Sequence, residues 1–232
     1  MVSVGPPETD RKIKSLIYGP SGHGKTRLLG TANDDVRTSP MLLLDYEGGV
    51  SSLIGRDIDV VRITSWEEYE EVRLFLKGGK HGYKSVGIDS VSEAHVNALL
   101  SRLDERQRKE INLLDQNDYG VALVMMRRLL RGFRDLPLHV FCTALAKEEA
   151  DPREGLIKKP ALPGAMADEV LGIFESVSYL ALAEDADKQI VRVLVMNPAP
   201  RIRAKTRVPL DVVPPDTIVD PTITKILDSL KL

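Results

Sequence analysis

This sequence has little cysteine, no long apolar run and no excess of basic charge, and each shortage excludes a class of protein. Its single cysteine, Cys142, lies in the apolar run LHVFCTALA, so no intramolecular disulfide can form and a buried thiol in a reducing compartment is expected. No apolar run approaches the roughly 18 residues that span a bilayer. Residues 1–12 also lack the apolar stretch of a secretion signal. We therefore expect a soluble, cytoplasmic protein with no membrane partner.

The charges are almost balanced along a chain of moderate length. Its 32 lysines and arginines against 34 acidic residues give a net charge of -2, so no global basic field attracts nucleic acid and any polyanion site must be local. At 232 residues with 43% hydrophobic content, the chain can bury one sizeable core but hardly two. The predicted organisation is a flexible leader at residues 1–12, one core at 13–210 and a C-terminal extension at 211–232.

Strand-like and helix-like segments alternate, which predicts an α/β fold with a mostly parallel, twisted sheet flanked by helices. The segments SVSYLALA and KQIVRVLVM, joined by the acidic turn EDAD, predict a C-terminal antiparallel hairpin. Residues 147–164 are rich in charge, proline and glycine and are predicted to form a long loop. The proline-rich segment from Pro209 onward is predicted to be a surface extension.

One motif lies between the first apolar strand and a helical pattern. Residues 19–26 read GPSGHGKT, which fits the phosphate-binding loop G-x-x-x-x-G-K-[ST] in its required context. Successive backbone amides of such a loop form an anion-binding nest, and the following helix adds its positive end. The pattern predicts that ATP is bound by Gly19, Pro20, Ser21, Gly22, His23, Gly24, Lys25, Thr26 and Arg27. The lysine is expected between the β- and γ-phosphates as a point charge.

Hydrolysis needs a metal site and a group that orients water. The Thr26 hydroxyl and the carboxylate of Asp89, at the end of the strand SVGID, are the predicted Mg²⁺ ligands; a helix N-cap is the alternative role for Asp89. Two acids in LLLDYEGG, Asp45 and Glu47, compete for the water. Strand alternation puts both on one side, and the longer Glu47 is favoured because it can reach the neighbouring loop.

These motifs, in this order and spacing, resemble the RecA-like recombinase core. More narrowly, they resemble the short phage-encoded RecA-like ATPases that act as single-strand annealing proteins, so the host cytoplasm is the implied compartment. The resemblance covers roughly residues 13 to 210 and includes DYGVALVMMRRLLRGF, PGAMADEVLGIFESVSYLAL and VRVLVMNPAPRIRAKTR. It implies that Glu47 is the catalytic glutamate and that Thr143 is a polar sensor near the γ-phosphate. A β-branched strand residue without such a role remains the alternative for Thr143.

The resemblance also implies where single-stranded DNA binds. Two irregular regions occupy the places of the DNA-binding loops in RecA-like proteins, and a solvated charged surface is the alternative for their cations. The candidate phosphate contacts are Arg106, Arg108 and Lys109 in the first region, and Lys147, Arg153, Lys158 and Lys159 in the second.

The basic segment RIRAKTR contains a K-x-R triplet, Lys205 to Arg207. In related ATPases a neighbouring subunit supplies a similar triplet to stabilise charge on the γ-phosphate, so the resemblance implies a homo-oligomer with the nucleotide at the subunit interface. A basic strand end or a phosphate-backbone contact is the alternative. Only about a dozen residues precede the first strand, which favours annealing over strand exchange.

Three functions are consistent with these patterns. The leading hypothesis is a Mg-dependent, DNA-stimulated ATPase that binds single-stranded DNA and promotes annealing or recombination. A small-molecule phosphotransferase of the same loop class is the second, but the glutamate after the second strand is then unexplained. A nucleotide-gated binding module without significant turnover is the third.

Overall fold

The computed structural model describes residues 11–105 and 114–232 of the chain. The strands are β1 (Lys14–Gly19), β2 (Met41–Asp45), β3 (Asp59–Arg62), β4 (Ser85–Asp89), β5 (His139–Asp151), β6 (Gly155–Pro160), β7 (Ser176–Glu184), β8 (Ile190–Val195), β9 (Lys205–Thr206) and β10 (Thr217–Val219). The helices are α1 (Lys25–Gly30), α2 (Trp66–Lys77), α3 (Val91–Glu105), α4 (Gln116–Arg134), α5 (Met166–Ile173) and α6 (Ile223–Ser229).

The strands join in one sheet in the order β10-β8-β7-β1-β5-β4-β2-β3. Its centre is parallel, since β1 pairs with both β5 and β7, and β4 with both β5 and β2. At one edge β8 pairs with β7, and β10 with β8, in antiparallel fashion. The predicted α/β fold, with a mostly parallel sheet and a C-terminal antiparallel hairpin, is confirmed.

Both faces of the central strands are buried, and alternate residues of β1 show why. Leu16 points into an apolar cluster with Tyr69 and Phe133 of α2 and α4, whereas Ile17 points into the opposite cluster with Leu28 of α1. Helices cover both sides, so the strands read as continuous apolar runs. The carboxyl ends of the parallel strands therefore meet at one edge of the sheet, where ligands bind in such folds.

Local signals define the helix that begins at Trp66. Ser65 accepts a hydrogen bond from the main-chain amide of Glu68, and the Glu68 carboxylate accepts one from the amide of Ser65, which completes a capping box. The Trp66 ring is 9% exposed and packs in the core beside Tyr69. The tryptophan is therefore part of the core.

The prediction that residues 147–164 form a long loop is wrong. β5 continues to Asp151, and β6 returns beside it, with Lys147 opposite Lys159. Asp151 accepts hydrogen bonds from the amides of Arg153 and Glu154, which holds the turn. The charged residues that suggested a loop alternate on the two faces of this ribbon, and some of them pair across it.

The residues beyond 210 are more than a surface extension. Thr217–Val219 add strand β10 to the sheet, and α6 buries Ile223, Ile226 and Leu227 against the same cluster as Leu28. The Thr222 side chain accepts a hydrogen bond from the Lys225 amide and begins this helix. The proline-rich composition concealed three apolar residues at helical spacing.

Candidate active site

The predicted phosphate loop connects β1 to α1 at the carboxyl edge of the sheet. Gly24 has a φ of 84°, a backbone conformation that side chains other than glycine rarely adopt. Lys25 folds back over its own loop, and its Nζ donates to the carbonyl oxygens of Gly19 at 3.1 Å and Pro20 at 2.9 Å. Those carbonyls hold the ammonium at the mouth of the loop.

Burial lowers the pKa of Lys25, and the nearby carboxylates of Glu47 and Asp89 act in the opposite direction. Desolvation therefore disfavours the charged ammonium, and an anion bound beside it favours the charged form. Binding of phosphate at this loop is expected to raise the pKa of Lys25 again.

The loop begins in tight contact with β7. A Cβ on Gly19 would lie 2.5 Å from the carbonyl oxygen of Leu180, closer than any side chain allows. This contact places the β7–β8 hairpin directly beside the loop. A glycine at position 19 is thus required by packing as well as by the motif.

Thr26 and Asp89 meet as the metal hypothesis predicts. The Thr26 hydroxyl donates to Asp89 Oδ2 at 2.5 Å, and the Thr143 hydroxyl donates to Asp89 Oδ1. Burial raises the pKa of Asp89, while these two hydroxyl donors act to lower it. A hydroxyl and a carboxylate side by side form a donor set that Mg²⁺ takes in nucleotide sites, and Thr26 lines the pocket beside the buried Asp89. The donor set therefore fits Mg²⁺.

Thr143 is fully buried on β5 and contacts Asp89. The sequence suggested that it senses the γ-phosphate or is a plain strand residue. The observed contact gives it a third role, since its hydroxyl fixes the orientation of the carboxylate. Its role as a sensor remains a prediction.

Glu47 lies on the loop after β2, is exposed and lines the same pocket as the phosphate loop. β2 ends at Asp45, so strand alternation does not orient Glu47, and that part of the sequence argument is wrong. Asp45 is 1% exposed and accepts hydrogen bonds from the amides of Gly48 at 2.9 Å and Gly49 at 3.3 Å. Asp45 therefore shapes the turn that carries Glu47, and Glu47 faces the pocket.

These groups surround an open pocket of about 460 Å³. It is lined by Ser21, Gly22, His23, Gly24, Lys25, Thr26, Arg27, Glu47, Gly49, Ser52, Leu182 and Arg192. A larger groove of about 790 Å³ between α2 and α4 contains none of the predicted site residues. The pocket at the phosphate loop is the candidate site because the predicted nucleotide ligands converge there.

Two side chains that line this pocket, Arg192 and His23, each have a nitrogen atom that is shielded from solvent. The Arg192 side chain on β8 lies beside Gly24, and its Nη1 is shielded without a hydrogen-bond partner among the residues that the structure describes. His23 Nδ1 is likewise shielded and without a partner. The only sequence signal for Arg192 is a single cation inside the otherwise apolar strand IVRVLV.

The K-x-R triplet and the phosphate loop of the same chain lie toward opposite ends of the strands. Lys205 pairs with Val177 near the amino end of β7, whereas the loop follows the carboxyl end of β1. Val177 pairs with Leu16, so the separation along the strands from the start of the loop at Gly19 is three residues, or roughly 10 Å. Burial lowers the pKa of Lys205, to which the charge of Arg207 also contributes. Within one chain, these two cations therefore lie away from the loop that is predicted to bind the phosphates.

The cations predicted on the second DNA-binding region lie on the β5–β6 hairpin, and acids neutralise two of them. Lys159 is buried and pairs with Glu149 at 2.7 Å, while Lys147 donates to the Leu162 carbonyl at 2.9 Å and lies 3.5 Å from Glu149. Lys158 Nζ lies 5.4 Å from the centre of the Tyr179 ring.

Arg153 is exposed in the turn at the tip of the hairpin, so it is the candidate best placed to reach a strand of DNA. The candidates Arg106, Arg108 and Lys109 lie outside the described residues.

The described part of the chain has neither a ready-made metal cluster nor a membrane-spanning helix. Across residues 11–105 and 114–232, no group of three or more histidine, cysteine, aspartate or glutamate side chains could hold a metal ion by itself. A Mg²⁺ at Thr26 and Asp89 therefore depends on phosphate oxygens for further ligands. In the same ranges, no helix combines the length and apolarity needed to cross a membrane.

The fold and the loop define a P-loop nucleotide-binding ATPase domain. Residues 11–208 match the model of a family described as an AAA domain (AAA_24), and the chain belongs to this family. Among proteins of curated function, none matches the chain.

Solved structures that are similar to this chain include the RadB recombinase, at 16% identity and a TM-score of 0.42, with 82% of this chain and 81% of that chain covered. The type III secretion ATPase EscN of enteropathogenic E. coli is similar at 16% identity and a TM-score of 0.44, with 73% of this chain and 43% of that chain covered. At such identities and TM-scores, neither likeness bears on activity.

Proposed function

We propose that this chain is a Mg-dependent ATPase that binds single-stranded DNA, is stimulated by it and promotes annealing or recombination. The observation that carries the ATPase part is the convergence of Lys25, Thr26 and Glu47 on one pocket, with the buried Asp89 bonded to Thr26 behind it. Each supplies a separate requirement of phosphoryl transfer: a clamp for the phosphates, ligands for the metal and a group that orients water.

The residues have distinct roles in the proposed reaction. The loop amides and Lys25 bind the β- and γ-phosphates, and Thr26 and Asp89 hold Mg²⁺, whose chemistry is to neutralise charge on the phosphate oxygens. Glu47, exposed at the rim of the pocket, orients the attacking water and accepts its proton. Thr143 positions Asp89 through its hydrogen bond.

The DNA part is supported by the β5–β6 hairpin, whose tip carries the exposed Arg153. Because Lys147 and Lys159 already pair with Glu149, fewer hairpin cations can neutralise phosphates than the sequence suggested. If about two phosphates are neutralised by the hairpin, the affinity for single strands falls with a log–log salt slope of about 1.4. A slope near 3 would mean that the ion pairs open or that residues outside the hairpin contribute.

The oligomer is part of the same proposal. Lys205 and Arg207 pair with β7 and the residue before it, toward the amino end of the strands and away from their own phosphate loop, so the proposed role in hydrolysis is assigned to a neighbouring subunit. A homo-oligomer with the nucleotide at the interface supplies that geometry. The specific rate of hydrolysis is then expected to rise with protein concentration.

The test is ATP turnover with and without single-stranded DNA, over a range of protein concentrations, for the parent chain and Lys25→Ala. The proposal predicts Mg-dependent phosphate release that DNA stimulates and Lys25→Ala abolishes. Phosphate transferred to a small-molecule acceptor, with no effect of DNA, would instead indicate a phosphotransferase. Full annealing activity by Glu47→Gln with ATP bound would indicate a nucleotide-gated module that does not need hydrolysis.

A further inference from the structure

The β7–β8 hairpin brings one arginine to the phosphate loop of its own chain. Leu182 on β7 and Arg192 on β8 are opposite each other in the hairpin register, and both line the pocket. A Cβ on Gly24 would lie 3.5 Å from both Cδ and Nη1 of Arg192. The side chain therefore lies directly against the loop backbone, one residue before Lys25.

One nitrogen of the Arg192 guanidinium has no hydrogen-bond acceptor in the part of the chain that the structure describes. Its Nη1 is shielded from solvent and finds no hydrogen-bond partner among the described residues. Arg127 and Arg203, in contrast, are held by Glu169 at 2.6 Å and Glu154 at 2.8 Å. A shielded donor without an acceptor is costly and rare in folded proteins, so the arrangement points to an acceptor supplied by a ligand.

The neighbouring groups identify the chemistry of that ligand. The loop beside Arg192 presents backbone amides that cradle the α- and β-phosphates in loops of this sequence pattern. A guanidinium binds phosphate oxygens through parallel hydrogen bonds, which an ammonium cannot do. Glu47 lies at the same pocket, but Arg192 Nη1 does not bond to it.

We propose that Arg192 binds the phosphates of the nucleotide held by its own chain, and that it contributes to ADP as well as ATP binding. The inference rests on the proposed nucleotide chemistry of this site. It differs from the role proposed for Lys205 and Arg207, which act from a neighbouring subunit. Arg192 is thus a binding residue in cis, present in each chain whether or not the chains assemble.

The experiment is equilibrium binding of ADP, with Mg²⁺ and without DNA, to the parent chain, Arg192→Gln, Arg192→Lys and the control Lys188→Gln. Lys188 is exposed in the turn of the same hairpin and does not line the pocket. We expect the dissociation constant to rise at least about tenfold in Arg192→Gln, by less in Arg192→Lys, and to stay unchanged in the control. An ADP affinity within twofold of the parent in Arg192→Gln overturns the inference.

A second readout uses the protein without nucleotide. Because the variant loses a shielded donor that has no acceptor, Arg192→Gln is expected to melt at or above the parent's temperature when nucleotide is absent. Added ADP is expected to raise the melting temperature of the parent more than that of the variant. If Arg192→Gln does not unfold cooperatively, Arg192→Lys decides, and unchanged ADP affinity in that variant overturns the inference.

Mixing two variants tests whether Arg192 binds the nucleotide of its own chain or that of a neighbouring chain. An equimolar mixture of Arg192→Gln and Lys25→Ala is expected to bind no more ADP than the sum of the two proteins measured alone. Recovery of parental affinity in the mixture would show that Arg192 acts on a neighbour and would overturn the inference. A parent chain that binds neither ATP nor ADP, like Lys25→Ala, would instead refute the proposed function of the site.

Discussion

The two ends of the parallel sheet carry buried charges that are satisfied in different ways. At the amino end, Lys14 donates to the carbonyl of Leu136 at 2.6 Å and to that of Leu138, and Asp35 is held by Arg37 through two hydrogen bonds of 2.9 and 2.5 Å. The partners of Lys14 and Asp35 belong to distant or adjacent parts of the same chain.

At the carboxyl end, one shielded donor has no partner among the described residues. Lys25 donates to the carbonyls of its own loop and Thr26 donates to Asp89, but Arg192 Nη1 meets no acceptor there. Buried polar groups in stable folds are usually paired, so a shielded guanidinium nitrogen without a partner beside the phosphate loop supports the proposal of a site completed by a ligand. The proposed function assigns nucleotide binding and conversion to the charges at the carboxyl end, whereas the Arg37–Asp35 pair at the amino end is expected to stabilise the fold.

Removing Lys25 is expected to give the largest effect. Lys25→Ala removes the cation at the β- and γ-phosphates, and kcat/KM for ATP should fall by about 1,000-fold or more. The free energy of unfolding without nucleotide should change by less than about 1 kcal/mol, because only the loop carbonyls lose a donor. Steady-state kinetics and urea unfolding measure the two quantities. A large loss of stability in Lys25→Ala with kcat/KM unchanged from the parent would contradict the comparison.

The second prediction separates the chemical step from nucleotide binding at the carboxyl end of the sheet. Glu47→Gln keeps the shape of the side chain but removes the proton acceptor, so kcat should fall by about 100-fold. Mg-ATP affinity should stay within about threefold, because the exposed carboxylate makes no contact that holds the phosphate loop. Glu71→Gln, an exposed glutamate on α2, is the matched control and should keep parental kcat. Parental turnover in Glu47→Gln would remove Glu47 from the mechanism.

At the amino end, Arg37→Ala should destabilise the fold and leave nucleotide binding unchanged. It removes the two side-chain hydrogen bonds to the buried Asp35 carboxylate and leaves the main-chain amide of residue 37 and the Thr224 side chain as its donors, at a cost of about 2 kcal/mol in the free energy of unfolding at pH 7. The hydrogen bonds from Arg37 hold the pKa of Asp35 well below its usual range. Stability from this pair is therefore present above about pH 4 and is lost as the pH falls through the folded pKa.

Urea unfolding of the parent and Arg37→Ala across pH 7 to 3 measures this difference, which should shrink toward acid. Arg134→Ala is the control, because its pair with Asp135 is exposed and should contribute less than about 1 kcal/mol. A cost in Arg37→Ala no larger than in the control would show that the amino end is not a source of stability.

The smallest effect is a pH dependence at Lys14. Burial lowers the pKa of Lys14 to about 8, with Glu175 and Asp135 acting in the opposite direction. The unfolded chain then binds more protons than the folded one above pH 8, so this group makes stability rise with pH, by about 1 kcal/mol between pH 7 and 9. Lys14→Met should lack that rise in urea unfolding. An identical pH dependence in both proteins would show that Lys14 titrates normally.

The sequence could predict the parts of the site that are local. The phosphate loop occupies eight consecutive residues, and Asp89 ends an apolar strand, so neither depends on which distant segments meet. Arg192 was missed because its place beside Gly24 depends on the register of β8 against β7 and on the order of the sheet. The charge density of residues 147–164 predicts a loop, because it conceals a strand pair in which Lys159 and Glu149 form an ion pair.

The most direct measurement is a crystal structure with Mg²⁺ and a non-hydrolysable ATP analogue. We predict that Lys25 Nζ leaves the carbonyls of Gly19 and Pro20 for the phosphates, that Mg²⁺ lies at Thr26 and Asp89, and that Arg192 Nη1 gains a phosphate acceptor. The account is contradicted if the analogue binds elsewhere while Lys25 keeps both carbonyls and the metal position stays empty.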